Sequence, residues 1–397
     1  MRLLVCSILA FLSLAACSSG PRKTSASTAG GLVNAADATF ESRGGRASIS
    51  SSRDTAIALE TDSADGGAVP VTGDYAGNPR VQAFIRRMER EHGFDPVYLN
   101  GVFSRVDRQQ WILDFVNRPR SHGPIGPTGA WTRYRAKFLT AANISNGADF
   151  WRRYEAALDR AYARYGVPPE YVVAILGVET RYGGYVGKYR VVEALTTLAF
   201  GYPRRSEFFT GELEAFLVMA RDEGFDPFQP VGSYAGAMGL GQFMPSSFHR
   251  FAVDFDGDGK RDLWDPVDAI GSVANYFAAY GWQSGELVAV PADVSGSAPH
   301  AMKADFSTSY SMDALRVQGI TSSLTSGRDV SLLRLDARGG YEYWLGLKNF
   351  YVITRYNHST YYAMAVHQLA QAIRARHGSS QRPTLTQRSD DNAPPFL

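Results

Sequence analysis

Residues 171–184, YVVAILGVETRYGG, set a single acid, Glu179, in a run of aliphatic residues that belongs in a protein interior. Pro168-Pro169 in front of the run start a helix, and Gly183-Gly184 behind it stop one. Glu179 falls in the last turn, where the helix macrodipole is negative and opposes a carboxylate by up to ~1 kcal/mol. Desolvation against the apolar face also opposes ionisation, so both effects raise its pKa. Its helical neighbours Val172, Ile175, Leu176 and Tyr182 offer no base, and Arg181 points elsewhere. A carboxyl held protonated near neutral pH is what a general acid needs to protonate the leaving oxygen of a glycosidic bond. The alternative is a structural glutamate paired with a distant arginine, which periodicity alone favours.

Outward from this helix the chain is punctuated mostly as helices. Val81, Phe84, Ile85 and Met88 form a stripe after Asn78 that Gly93 terminates. Asp95 reads as an N-cap with Pro96 at the first helical position, ahead of Leu99, Val102, Phe103 and Val106. HGPIGPTGA is a loop. Asp149 is expected to cap a helix carrying Trp151, Tyr154 and Leu158 and ending at Gly166. Further helices are expected over Val191–Leu198, Glu207–Asp222, Val267–Tyr280 and Thr360–Ala375. Between Leu287 and Ile353, the segments ELVAVPADV, DVSLLRLDARGGYEYW and FYVITRY have strand composition, with Gly339-Gly340 as a hairpin turn. The fold class is therefore mainly α (α+β), without internal repeats.

With 397 residues and 45% hydrophobic content the chain can bury a large core. The net charge of +2 and the lack of a basic stripe interleaved with aromatics argue against nucleic acid as a partner. The start, MRLLVCSILAFLSLAACSSG, has one basic residue, an apolar stretch too short to span a bilayer, and then small residues, as in a secretory signal. Leu14-Ala15-Ala16-Cys17 resembles a bacterial lipobox, with Cys17 acylated and Ser18 directing the protein to the outer membrane. Ordinary cleavage beside an incidental cysteine is the alternative. Cys6 leaves with the signal, so no disulfide forms in the mature protein. From Ser18 onward a Ser-, Ala-, Gly- and Thr-rich stretch reads as a disordered tether.

Four blocks, GVETRYGGYVGKYRVVEALTTLAFGYPRR, GSYAGAMGLGQFMPSSF, DFDGDGKRDLWDPVDAIGSVANYF and NFYVITRYNHSTYYAMAVHQL, resemble in order the signatures of the membrane-bound lytic transglycosylase B family. WTRYRAKF and DFWRRYEAAL resemble its N-terminal helical region, and the likeness covers roughly Asn78 to Gly378. It implies a lysozyme-like core and cleavage of peptidoglycan between MurNAc and GlcNAc to give 1,6-anhydroMurNAc ends. It implies Glu179 as the single catalytic acid/base, with Ser233 and Gln242 in the cleft. It further implies Tyr134, Tyr276, Tyr356, Asn357 and Tyr362 as cleft lining, and Arg204-Arg205 near the peptide stem or lactyl carboxylate. Each tyrosine taken alone reads as core packing, and the arginine pair reads nearly as well as a solvated surface.

DFDGDGKRDLWDPVD carries an independent signal. Asp254, Asp256 and Asp258 alternate, Gly259 supplies the turn, and Lys260 offers its carbonyl, as in a calcium loop. Asp265 holds the twelfth position, but the family's longer loop implies Asp268 as the last ligand. A metal-free acidic turn is the alternative. The resemblance implies that calcium here is structural, since the family keeps it away from the glutamate, and glycosidic cleavage is expected to take no cofactor.

The expected organisation is a lipoprotein signal at 1–17, a tether at 18–75, an N-terminal helical domain at 76–165 and the catalytic core at 166–285, with the calcium loop at 254–268. A β-containing domain at 286–340, the rest of the core at 341–378 and a disordered tail at 379–397 follow. The expected partners are peptidoglycan strands, the outer membrane through the lipid, and cell-wall synthase or divisome proteins. The rival functions are a hydrolytic muramidase of the same fold and a non-catalytic peptidoglycan-binding lipoprotein.

Overall fold

The computed structural model describes residues 69–119, 127–324 and 327–380. The signal segment, Cys17, the tether before residue 69 and the tail after 380 lie outside the described residues. The packed chain begins ahead of Asn78, because Val71 and Tyr75 are already buried. Helix α1 (Pro79–His92) follows, with the Asn78 side chain accepting from the Arg80 and Val81 amides. Its buried residues are the stripe Val81, Phe84, Ile85 and Met88, and Gly93 closes it in the left-handed region. α2 (Pro96–Arg105) is capped by Asp95. The short helices α3 (Gln110–Val116) and α4 (Ala130–Arg135) follow.

α5 (Ala141–Arg153) and α6 (Glu155–Tyr165) correct the expectation for Asp149. Asp149 lies inside α5 and pairs with Arg152, whereas the cap is Thr140, which accepts from the Asn143 amide at 3.1 Å. Thr140 satisfies an otherwise unpaired donor one helix earlier, so the helix has no need of a start at Asp149. The Trp151, Tyr154, Leu158 stripe instead bridges a break at Tyr154.

α7 (Pro169–Thr180) is buried from Glu170 through Val178 and again at Thr180. A helix apolar on all sides must be wrapped by others. α5, α6, α11 (Pro266–Ala279) and α15 (Thr360–Ser380) do so. Its end comes before the glycines: Arg181 and Tyr182 are both left-handed, at φ 54° and 63°. That conformation costs a non-glycine residue on the order of 1 kcal/mol or more. Tyr182 is fixed in it by a slot. Its hydroxyl donates to the Asn143 carbonyl of α5 at 2.8 Å. A Cβ at Gly147 of α5 or at Gly177 of α7 would lie 2.5 Å from that hydroxyl.

Between α7 and α11 lie strand β1 (Tyr189–Arg190), α8 (Val191–Gly201), a 3-10 turn (Pro203–Arg205), α9 (Ser206–Asp222), strand β2 (Val231–Gly232) and α10 (Pro245–Phe251). β1 and β2 pair antiparallel. After α11 come β3 (Ala289–Val294), α12 (Ala298–Ala301), β4 (Tyr310–Ser311), α13 (Met312–Val317), β5 (Ile320–Ser322), β6 (Asp329–Ala337) and β7 (Gly340–Gly346). They form an antiparallel sheet in the order β4-β6-β7-β3-β5 over its own small core, which includes Met312, Leu315, Leu332 and Leu345. The pairing of Ala337 with Gly340 places the hairpin turn at Arg338-Gly339, one residue before the glycine pair expected. β7 carries the sheet past 340 to Gly346.

The segment FYVITRY is not a strand. It belongs to α14 (Lys348–Tyr356), with Phe350, Val352, Ile353 and Tyr356 buried. A β-branched, aromatic run has the same composition in a buried helix as in a strand, and here packing overrides propensity.

Candidate active site

The last turn of α7 aims Glu179 toward the start of α15. The Tyr362 hydroxyl donates to Glu179 Oε1 at 2.6 Å. The side chain keeps some exposure, yet burial pushes its pKa up to about 7 from the ordinary 4.5. The Tyr362 hydrogen bond pulls the other way. Among the described residues no Lys or Arg pairs with Glu179, so the paired structural glutamate is not the arrangement found. Glu170, the helix's other acid, is buried and bonded to Arg374 at 3.3 Å.

Glu179 shares a cavity with Ser233, Gln242 and Arg205. The β2–α10 loop shapes its wall. Ser233 Oγ accepts from the amides of Ala235 at 3.3 Å and Ala237 at 3.0 Å, folding the loop over itself. Gly239 must be glycine, because at φ 67° a Cβ would sit 2.4 Å from the Leu263 carbonyl. Gln242, left-handed at φ 53°, spends its Nε2 protons on the carbonyls of Val186 at 3.1 Å and Gly239 at 3.0 Å.

An adjoining cavity shares Phe208, Gln242 and Met244 with the first and adds Tyr276, Tyr356 and Arg355. The Tyr356 hydroxyl donates to Gly241 O at 2.5 Å and that of Tyr276 to Arg355 O at 2.6 Å, so both rings stand as fixed walls. The charge of Glu179 also bears on Tyr134, Tyr356 and Tyr362, whose hydroxyl pKa values burial already raises. The structure thus gathers Glu179, Ser233, Gln242, Tyr134, Tyr276, Tyr356, Tyr362 and Arg205. It does not bring Arg204 to either cavity; that residue is exposed on the 3-10 turn. Asn357 lines neither cavity and is buried, with its Oδ1 lacking a partner.

Sequence reasoning missed Phe208, Met244, Glu212 and Arg355. The Arg205 guanidinium lies 4.1 Å over the Phe208 ring, which is 38% exposed. Two phenylalanines at successive helix positions cannot both face one core, and that was the available signal. Glu212 is the acid of the adjoining cavity, but Ser246 occupies it through its amide at 2.9 Å and hydroxyl at 2.7 Å. Glu179 is therefore the carboxylate free for chemistry among the described lining residues.

Away from the cleft, the acidic loop closes on itself. Asp254 accepts from the amides of Gly257 at 2.7 Å and Gly259 at 2.9 Å, both glycines being left-handed. Asp256 accepts from Asp258 N at 3.1 Å and Asp258 from Lys260 N at 2.9 Å. Asp268 reaches back from α11, 1% exposed, and accepts from the amides of Phe255, Asp256 and Asp262 at 2.6, 3.2 and 2.8 Å. Oxygens of Asp254, Asp256 and Asp268 lie within 4.8 Å of one another. Asp265 instead caps α11, accepting from Val267 N at 2.6 Å. Clustered hard oxygen donors with a buried acid suit a calcium ion.

The transglycosylase SLT domain family matches residues 76–371. The membrane-bound lytic murein transglycosylase B of Escherichia coli K12 is 50% identical over 369 residues, covering 91% of this chain and 95% of that protein. The structure of the Escherichia coli lytic transglycosylase SLT35 in complex with calcium is similar at 53% identity and a TM-score of 0.74, covering 79% of this chain and 98% of that one. The same enzyme in complex with bulgecin A gives a TM-score of 0.75 at 53% identity, with the same 79% and 98% coverage.

Proposed function

The chain belongs to the transglycosylase SLT domain family and is a lytic transglycosylase of murein, and we propose that it works through one carboxyl, Glu179. The observation that carries this is the place of Glu179, at the end of an apolar helix with the Tyr362 hydroxyl on its carboxyl, in a cavity whose described lining holds no second carboxylate. Hydrolytic glycosidases use two. Glu179 gives its proton to the oxygen joining MurNAc C1 to GlcNAc, and that C1–O bond breaks. The sugar's N-acetyl group stabilises the positive charge at C1. The same carboxylate, held by the Tyr362 hydroxyl while ionised, takes the proton of the MurNAc 6-hydroxyl, and O6 bonds to C1. The proton is returned and no water is consumed. Ser233 and Gln242 offer polar contacts to the sugar, and the tyrosine faces stack on it.

Digestion of sacculi in ¹⁸O-water tests this. Muropeptides ending in 1,6-anhydroMurNAc without label are expected, and labelled reducing ends as the main product would sink the proposal in favour of the hydrolytic muramidase.

Asp254, Asp256, Asp258, Asp268 and the Lys260 carbonyl would hold a calcium ion that ties the loop to α11. The role is structural, since the loop does not line the Glu179 cavity. Among the described residues no helix is long and apolar enough to cross a membrane. Membrane attachment, as in the name of the murein transglycosylase B relative, is assigned to lipid on Cys17 and to the outer membrane. Cys17→Ser should move the activity to the soluble periplasmic fraction; a variant that still sediments fully with membranes rules the lipid out as the anchor.

A further inference from the structure

The cavity beside the Glu179 site contains an arginine charge that the fold leaves without a counterion. Arg355 lines it together with Gln242, Tyr276 and Tyr356. Among the described residues no carboxylate lies within ion-pair distance of its guanidinium. Its Nε is buried without a partner, and Nη2 meets Thr354 Oγ1 only at 3.4 Å. Glu212, the acid of the same cavity, has both carboxylate oxygens on Ser246. Yet the group is held in place: it lies 4.3 Å over the Tyr351 ring and 5.9 Å over that of Phe306, and the Arg355 carbonyl receives the Tyr276 hydroxyl. Leaving a fixed, partly desolvated guanidinium unpaired is unfavourable unless a ligand supplies the anion. Its planar fork selects a carboxylate.

Resting on the function proposed above, we propose that Arg355 binds a carboxylate of the peptide stem carried by MurNAc while the sugar sits at Glu179. The stem leaves MurNAc close to the scissile bond, and the two cavities are joined through Gln242, Phe208 and Met244, so one ligand can occupy both. Arg355 is thereby a specificity-determining residue that favours glycan bearing stems over bare strands.

The experiment compares parent, Arg355→Gln and Arg355→Lys on two substrates: stem-bearing glycan, and strands freed of stems by an amidase, which keep the lactyl carboxylate. For Arg355→Gln, a loss of about 10-fold or more in kcat/KM, mostly in KM, is expected on stem-bearing glycan, and a several-fold smaller loss on bare strands. Arg355→Lys should recover part of that loss. Equal losses on both substrates, or no loss on either, overturn the proposal. Thermal melting reports whether Arg355→Gln folds, and if it does not, Arg355→Lys carries the same two-substrate comparison. A parent that forms no anhydro ends from either substrate refutes the transglycosylase mechanism itself, and this assignment falls with it.

Discussion

Glu179 and Asp268 are both acids drawn inside the molecule, and their surroundings differ in kind. Glu179 meets one hydroxyl, that of Tyr362, at the end of an apolar helix. Asp268 meets the backbone amides of Phe255, Asp256 and Asp262, with the carboxylates of Asp254 and Asp256 close by. A single weakly acidic donor leaves a carboxyl able to keep or release its proton. Converging amides and neighbouring acids instead build a centre of negative charge that a divalent cation completes. Burial is common to the two sites; the number and type of donors separates proton chemistry from ion binding.

The largest expected effect comes from making Glu179 unable to exchange a proton. Glu179→Gln should lower release of anhydro-muropeptides by at least ~10²–10⁴, the usual worth of general acid–base catalysis, while sacculus binding persists. Its stability should move the opposite way. The folded protein holds the Glu179 proton up to about 7 against an ordinary 4.5, so the parent loses stability as pH rises through that interval and the variant does not. Thermal melts should coincide at pH 4, and at pH 8 the variant should be more stable by about 3 kcal/mol. A fully active Glu179→Gln, or melts that stay together at both pH values, would erase the contrast with Asp268.

Next in size is the metal. Calcium a hundredfold above its dissociation constant should stabilise the folded parent by ~2.7 kcal/mol, read as a rise in Tm over protein in chelator. Asp256→Ala with Asp258→Ala should abolish that rise, and a parent indifferent to calcium would make the loop an acidic turn and no more. The smallest effect sharpens the Glu179 side. Tyr362→Phe removes the donor that favours the ionised form, so the alkaline limb of the pH–rate profile should shift upward by about one unit. A downward shift would mean that Tyr362 steadies the protonated acid instead.

Much of this was legible in sequence because it rests on local physics. Asn78 and Asp95 cap their helices, and the alternating aspartates and α7's aliphatic run with its stranded acid are short-range patterns. Asp268 was separated from Asp265 by resemblance, and the structure shows why: Asp265 is occupied as the α11 cap. What failed needed long-range contacts. FYVITRY is helical because neighbouring elements bury it, and α7 ends at Arg181 because Tyr182 is caught by α5. Phe208, Glu212 and Arg355 reach the cleft from α9 and α14, which no spacing along the chain relates to Glu179.

The slot that grips Tyr182 bears on modularity. Its walls are Gly147 and Asn143 on one side and Gly177 on the other, so the turn at Arg181-Tyr182, which begins two residues past Glu179, is held by helix α5. A chain shortened to begin at Pro168 would retain Glu179, Ser233, Gln242 and the C-terminal tyrosines, yet lose the surface against which the left-handed turn is set. On the mechanism proposed above, α5 would thus belong with the catalytic apparatus: transplanting the core without it would carry over the reagents and leave behind the jig that aligns them.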